Sequence, residues 1–215
     1  MKENYSVSGY EYHDEGHSPS HDYLLPAVLG ELKGLASALE EGDRRLFELG
    51  CGNGSVGHVL SKNGWQVSGI DASDEGIAHA QAAYPHLKLS QASAYDDLRS
   101  QFGTFPVVTS LEVVEHLYAP RDYTKTLFDL LEPGGTAIVS TPYHGYWKNL
   151  VLAISGKMDA HFTALWDHGH IKFWSEETLA KLLDEAGFEN IRFERVGRIR
   201  PLAKSMIAIA RKPDR

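Results

Sequence analysis

The order of patterns along the chain predicts an α/β fold built on a doubly wound, mostly parallel sheet. Three observations carry this. A short apolar run, Leu46-Phe47-Glu48-Leu49, breaks into Gly50-Cys51-Gly52-Asn53-Gly54 and then into a helix-like stretch, which reads as a strand, a tight turn and a helix start. Strand-like and helix-like segments alternate from there to about residue 142, the pattern of βαβ units. The second of these strands ends on an acid, Asp71, where open α/β sheets bind their ligands.

At 215 residues the chain is long enough for one sizeable core, and a single domain is expected. Its 42% apolar and 23% charged residues are ordinary for a globular protein. No apolar run approaches the ~18 residues that would span a bilayer. The start, Met1-Lys2-Glu3-Asn4-Tyr5, lacks the apolar core of a signal peptide, and a cytoplasmic chain is expected. The single cysteine, Cys51, excludes an internal disulfide and any Cys-based zinc cage. It reads as a small filler of the glycine turn rather than a nucleophile. Residues 188–215 carry eight Lys/Arg against three Asp/Glu, so the remainder is near −13 within a total of −8. Those cations are spread through two predicted edge strands and read as a solvated surface, which disfavours nucleic acid as a partner. The oligomeric state is not legible.

Residues 3–21 are rich in Tyr and His without a helical or strand period, punctuated by Gly9, Gly16 and Pro19. Disordered tails are poor in aromatics, so this one is expected to dock. Residues 21–40 read as a helix, with Ser20 as N-cap and Pro26 near its first turns. The first strand is 45–49, and a helix over 55–62 stops at Asn63-Gly64. The second strand, 66–70, ends on Asp71, and Ser73 or Asp74 caps a helix to Ala83. A short third strand spans 86–90. The fourth, 107–111, follows Pro106, which a first strand position tolerates. A helix over 121–131 and a turn, Glu132-Pro133-Gly134-Gly135, precede the fifth strand at 136–140. After a helix at 175–186, capped by Ser175, two strands at 190–196 and 203–210 close the chain.

The glycine turn admits two registers. Gly52-x-Gly54-x-x-Gly57 fits a dinucleotide fingerprint, with Asp71 as the ribose acid. In the other register, Glu48-x-Gly50-x-Gly52-x-Gly54, the acid sits on the strand tip. The strand has run out by Leu49, so the turn begins at Gly50 and the dinucleotide register starts two residues late. The preferred register resembles motif I of the class I S-adenosylmethionine-dependent methyltransferases. Three further features resemble that family: Asp71 after strand two, the Leu111-Glu112-Val113-Val114-Glu115-His116 block after strand four, and the Pro-Gly-Gly turn before strand five. The resemblance covers roughly residues 44–211. It implies a Rossmann-like, seven-stranded sheet whose last strand inserts antiparallel.

The resemblance also implies a cofactor, S-adenosylmethionine, and residues to hold it. Tyr12 or His13 would lie near its methionine end. Glu48, Gly50, Cys51, Gly52 and Asn53 would form the turn beneath it, with Asp71 and Ala72 at the ribose. Ser93, Ala94, Leu111 and Glu112 would frame the adenine and ribose. Ser93 stands where the family commonly has Asp, with Asp96 as a fallback acceptor. On a helical turn Glu112, Glu115 and His116 would share one face. Two subfamilies, the quinone-biosynthesis O-methyltransferases and the small-RNA 2′-O-methyltransferases, use such a set for Mg²⁺. A Mg²⁺ site there is an alternative, and an active-site histidine is preferred.

Residues 143–174 interrupt the alternation with three tryptophans and four histidines, too many for an idle loop. They are expected to roof the substrate pocket, opening with a helix that runs to Ile154. The expected division is thus 1–43 over the cofactor, 44–142 as the cofactor-binding core, 143–174 as the roof and 175–215 as the closing helix and strand pair. The expected activity is methyl transfer to a small or amphipathic acceptor, most simply O-methylation, with His116, then His144 and His170, as candidate bases. A nicotinamide-dependent oxidoreductase and a non-catalytic S-adenosylmethionine-binding regulator are the alternatives.

Overall fold

The computed structural model describes residues 16, 18–167 and 169–214. Among them lie seven strands: β1 Arg45–Leu49, β2 Gln66–Asp71, β3 Lys88–Gln91, β4 Phe105–Leu111, β5 Leu131–Pro142, β6 Glu189–Val196 and β7 Ser205–Arg211. They form one sheet in the order β3-β2-β1-β4-β5-β7-β6. Strands β1 to β5 pair in parallel, and β7 runs antiparallel between β5 and β6. The order reverses between β1 and β4, so the carboxyl ends of those two strands diverge into a crevice, the ligand position of such sheets.

Among the described residues lie eight α-helices: α1 His21–Ala36, α2 Ser55–Lys62, α3 Asp74–Ala83, α4 Leu98–Phe102, α5 Pro120–Asp129, α6 Tyr146–Ile154, α7 Met158–Phe162 and α8 Glu176–Glu185. The central strands are apolar on both faces because both are buried. On β1, Leu46 packs with Leu24, Val28 and Leu60 from α1 and α2. Its neighbour Phe47 points the other way, into Tyr123, Leu127 and Leu183 from α5 and α8. Each fully buried side chain of this size contributes roughly 1.5–3 kcal/mol. No helix among the described residues is long and apolar enough to cross a membrane.

Local differences from the sequence expectation have physical causes. Helix α1 ends at Ala36 rather than residue 40, and Ser20 makes no cap bond because its hydroxyl pairs with that of Ser18. Strand β5 starts earlier than expected, at Leu131, and the Pro-Gly-Gly segment is a bulge within it: Phe105 pairs with Leu131, but Val107 already pairs with Thr136. Helix α4 was not anticipated, since five residues carry no readable period; Asp97 starts it by accepting the Ser100 amide. Ser73 and Ser175 cap α3 and α8 as expected.

Candidate active site

The glycine turn shows why the strand had to end at Leu49. Gly50, Gly52 and Gly54 all take left-handed φ angles, of 90°, 51° and 77°, which other residues adopt only at a cost. The Gly50 and Cys51 amides both donate to Ile70 O, at 2.8 and 2.9 Å, which ties the turn to β2. The Gly52 amide donates to Asp71 Oδ2 at 2.9 Å, and the Ser73 amide to Oδ1 at 2.8 Å. Gly57, the third glycine of the dinucleotide register, lies in α2, where an added Cβ would come within 2.9 Å of Glu48 Oε2.

Glu48 is buried, and its Oε2 has no hydrogen-bond partner among the described residues. Burial, and then the negative charge of Asp71, push its pKa up to about 8. A carboxylate held this way at the foot of a cavity awaits a cation or a donor. Cys51 is buried in the turn and burial pushes its thiol up, which fits a filler and not a nucleophile.

A cavity of about 1140 Å³ opens over this turn, larger than the ~300–1,000 Å³ typical of a single ligand. Its walls include Glu48, Gly50, Cys51, Gly52, Asn53 and Asp71, and also Ala72, Ser93, Ala94, Leu111 and Glu112. The same cavity reaches His116, His144 and His170. Every described residue expected to bind cofactor or act as base therefore borders one space. Tyr12 and His13 lie outside the described residues. The Gly16 carbonyl nonetheless accepts from Asn53 Nδ2 at 3.0 Å, so the chain just beyond them passes over the turn. Ser93 Oγ is occupied locally by the Tyr95 amide, and Asp96 binds the Ser93 amide rather than facing the cavity.

The block after β4 is not a helical face. Glu112 has φ 56° and only Val114–His116 form a 3-10 turn, so Glu112 diverges from Glu115 and His116. Its carboxylate accepts from Ser140 Oγ at 2.9 Å and Ser205 Oγ at 3.4 Å, and burial pushes its pKa up to about 7. His170, from the roof, takes the place Glu112 was expected to fill: ligand atoms of Glu115, His116 and His170 all lie within 4.8 Å of one another. Glu115 is 1% exposed, and neither carboxylate oxygen completes a hydrogen bond among the described residues. Burial, then the charge of Glu112, hold its pKa well above the usual range. His170 Nε2 is 4.0 Å from Glu115 Oε1.

The roof is pinned where it crosses this block. Ile171 and Lys172 amides donate to Glu115 O, and the His144 amide to Trp174 O. The three tryptophans have different fates: Trp166 lines the cavity, Trp174 is in the core, and Trp147 is 65% exposed. Sequence reasoning missed Tyr23, Lys148, Arg198, Lys204 and Ser205, all of which border the cavity. The one available signal was Lys148, a lone cation in an otherwise uncharged helix.

A mostly parallel sheet with a reversed last strand, a three-glycine turn and an acid after β2 define a class I S-adenosylmethionine-dependent methyltransferase. The family model for the methyltransferase domain matches residues 23–192, and the chain belongs to that family. It is similar to the ubiquinone biosynthesis O-methyltransferase of Ruegeria pomeroyi, 30% identical over 79% of this chain and 70% of the relative. The enzyme of the same name from a Caulobacter species is 36% identical over 57% of this chain and 48% of its own length. Among solved structures, the magnesium protoporphyrin IX methyltransferase of Synechocystis, with bound SAH, shares the fold with a TM-score of 0.64 at 19% identity, covering 88% of this chain and 82% of that one. Family membership sets aside the oxidoreductase and the non-catalytic regulator.

Proposed function

We propose that this enzyme methylates a hydroxyl group of a small or amphipathic acceptor, with His116 as general base. The observation that carries the reading is one continuous cavity running from the glycine turn to His116, His144 and His170 beneath an aromatic roof. In this reading residues 44–142 hold the cofactor, 143–174 cover the acceptor, 1–43 close over the cofactor and 175–215 complete the sheet. Gly50, Cys51, Gly52 and Asn53 form the cradle, Glu48 takes the cationic amino-acid end, and Asp71 and Ala72 receive the ribose. Ser93, Ala94, Leu111 and Glu112 flank the base, and Tyr12 is assigned to the methionine end.

When bound, S-adenosylmethionine supplies an electrophilic methyl group on a sulfonium. The chain's task is then alignment and proton removal, and holding two reactants in near-attack geometry supplies ~7–11 kcal/mol. Burial pushes His144 and His170 down to about 4, which makes them weak bases near neutral pH. His161, which also lines the cavity, is lowered in the same sense, and this reading assigns the base role to His116. Its ring meets those of His170 and Trp166 edge-on, at centroid distances of 4.8 and 6.1 Å, which limits its rotation. The relatives this chain is similar to are O-methyltransferases, which supports oxygen as the accepting atom. His116→Ala or His116→Gln is expected to lower turnover by roughly 10²–10⁴-fold while cofactor affinity stays within a few-fold. Unchanged turnover would remove His116 from the role.

A second reading rests on the Glu115, His116 and His170 cluster. Its orphaned, buried carboxylate fits a divalent cation. One carboxylate and two imidazoles suit a borderline ion such as Zn²⁺ or Fe²⁺ better than Mg²⁺, which favours oxygen ligands. A cation there would fix His116 and His170 and polarise the acceptor hydroxyl in place of a free base.

A further inference from the structure

Helix α6 sits with its polarity reversed. Its sequence, Tyr-Trp-Lys-Asn-Leu-Val-Leu-Ala-Ile, carries one charge, Lys148. A helix on a protein surface ordinarily turns its apolar residues inward and its charges outward. In α6 the only buried residue is Lys148, at 8% exposure, while Trp147 and Ile154 are 65% and 78% exposed. The hydrophobic effect and the cost of desolvating an ammonium both oppose this orientation. Something in the structure holds the cation in.

Two consecutive residues, Lys204 and Ser205, connect it to one carboxylate. The Lys204 carbonyl accepts from Lys148 Nζ at 3.2 Å, and from the Tyr143 amide, at the base of the roof, at 2.9 Å. The Ser205 hydroxyl donates to Glu112 Oε2 at 3.4 Å, and Ser140 Oγ donates to Oε1 at 2.9 Å. The backbone aims this carboxylate: Glu112 has φ 56°, and its amide donates to Ser140 O at 3.1 Å. No contact ion pair joins Glu112 to Lys148 among the described residues. Buried charges are screened little, however, and each of the two favours the other's ionised form. Burial and then the charge of Arg198 push Lys148 down to about 8, with Glu112 opposing the fall. Burial pushes Glu112 up to about 7, with the Ser140 and Ser205 hydroxyls and then Lys148 opposing the rise.

We propose that Glu112 is the latch of the roof: its negative charge holds the Lys148 ammonium inward and so keeps α6 over the cavity, and loss of that charge releases the helix. Removing one partner of a buried pair leaves the other charge uncompensated, whereas removing both does not. With Glu112 neutral, Lys148 regains its hydration only by turning α6 outward. The helix brings Lys148, Val151 and Leu152 to the cavity wall and leads into α7, whose His161 and Phe162 also line it. Release of α6 therefore opens the end of the cavity beneath the roof. The latch is a property of the chain itself and holds whichever atom is methylated.

The test is amide hydrogen exchange, read by mass spectrometry on the protein without added ligand, in the wild type, Glu112→Gln and the double variant Glu112→Gln/Lys148→Met. Glutamine keeps the shape of Glu112 and an acceptor for the serine hydroxyls and removes only the charge. In Glu112→Gln the amides of α6 are expected to exchange roughly tenfold or more faster, while those of β1 and β4 keep their wild-type protection. In the double variant, where the ammonium is replaced by an apolar chain of similar length, protection of α6 is expected to return to within a few-fold of the wild type. Unchanged exchange of α6 in Glu112→Gln overturns the proposal. So does a double variant that exchanges as fast as the single one, which would mean that Lys148 is not what the latch holds. Equal acceleration in α6, β1 and β4 also overturns it, by making Glu112 a support of the whole fold.

Discussion

The Gly52 amide and the Asp71 carboxylate meet at 2.9 Å, 19 residues apart in sequence. The bond joins the turn after β1 to the end of β2 and fixes two walls of the cavity relative to each other. It also explains why the acid is confined: Oδ1 is held by the Ser73 amide at 2.8 Å. The carboxylate is thus aimed by the backbone before any ligand arrives, which lowers the entropy cost of binding.

The glycine turn is a stability element as well as a cradle. At Gly54, φ is 77° and an added Cβ would lie 2.9 Å from Leu89 Cδ1 and 3.0 Å from Ala80 Cβ. Gly54→Ala is expected to cost about 1–3 kcal/mol of unfolding free energy, measured by denaturant titration. Gly30, mid-helix in α1 with nothing within 4 Å of an added Cβ, is the control: Gly30→Ala should stabilise by about 0.5–1 kcal/mol. Equal effects at the two sites would mean the turn is not strained.

Buried carboxyls give the cofactor-free protein a pH signature. The pKa of Glu48 is raised to about 8 and that of Glu112 to about 7, so the folded state keeps protons that the unfolded chain has lost. Their stabilising contribution is full below the ordinary carboxylate range and is lost as pH rises through the folded values. His144 and His170, lowered to about 4, act in the opposite sense, with stability lost as pH falls below the ordinary histidine value. Between about pH 6.5 and 7 the acids dominate, and stability should fall with a slope of up to about 1.4 kcal/mol per pH unit for each titrating group; above that Lys148, lowered to about 8, opposes them. Denaturant midpoints across that window should flatten in Glu48→Gln. A wild-type curve that rises there contradicts the assignment.

A cation at Glu115, His116 and His170 predicts that exhaustive chelation abolishes turnover. Zn²⁺ or Fe²⁺ should then restore it better than Mg²⁺, because two of the three donors are imidazole nitrogens. Full turnover in excess chelator retires the metal and leaves His116 as the free base.

Much of the cofactor half was legible because it is local. A strand end, three glycines and an acid at the next strand tip are fixed by neighbours in sequence, and Gly50 to Gly54 have the left-handed φ angles the turn requires. The acceptor half is not local. Glu112 was read on a helical face with Glu115, but its φ of 56° and its bonds to Ser140 and Ser205 depend on β5 and β7. His170 reaches His116 only because the roof folds back across 54 residues of chain. Arg198 and Lys204 read as solvated edge charges, and only the β6–β7 connection brings them to the cavity.

The most direct measurement is calorimetric titration of S-adenosylhomocysteine, beside NADH, into the wild type and Asp71→Asn. Micromolar binding of S-adenosylhomocysteine alone, weakened roughly tenfold or more in the variant, is the result expected if the Gly50–Gly54 turn and Asp71 hold the cofactor. Binding of NADH alone, or S-adenosylhomocysteine affinity unchanged by loss of the Asp71 charge, would contradict it.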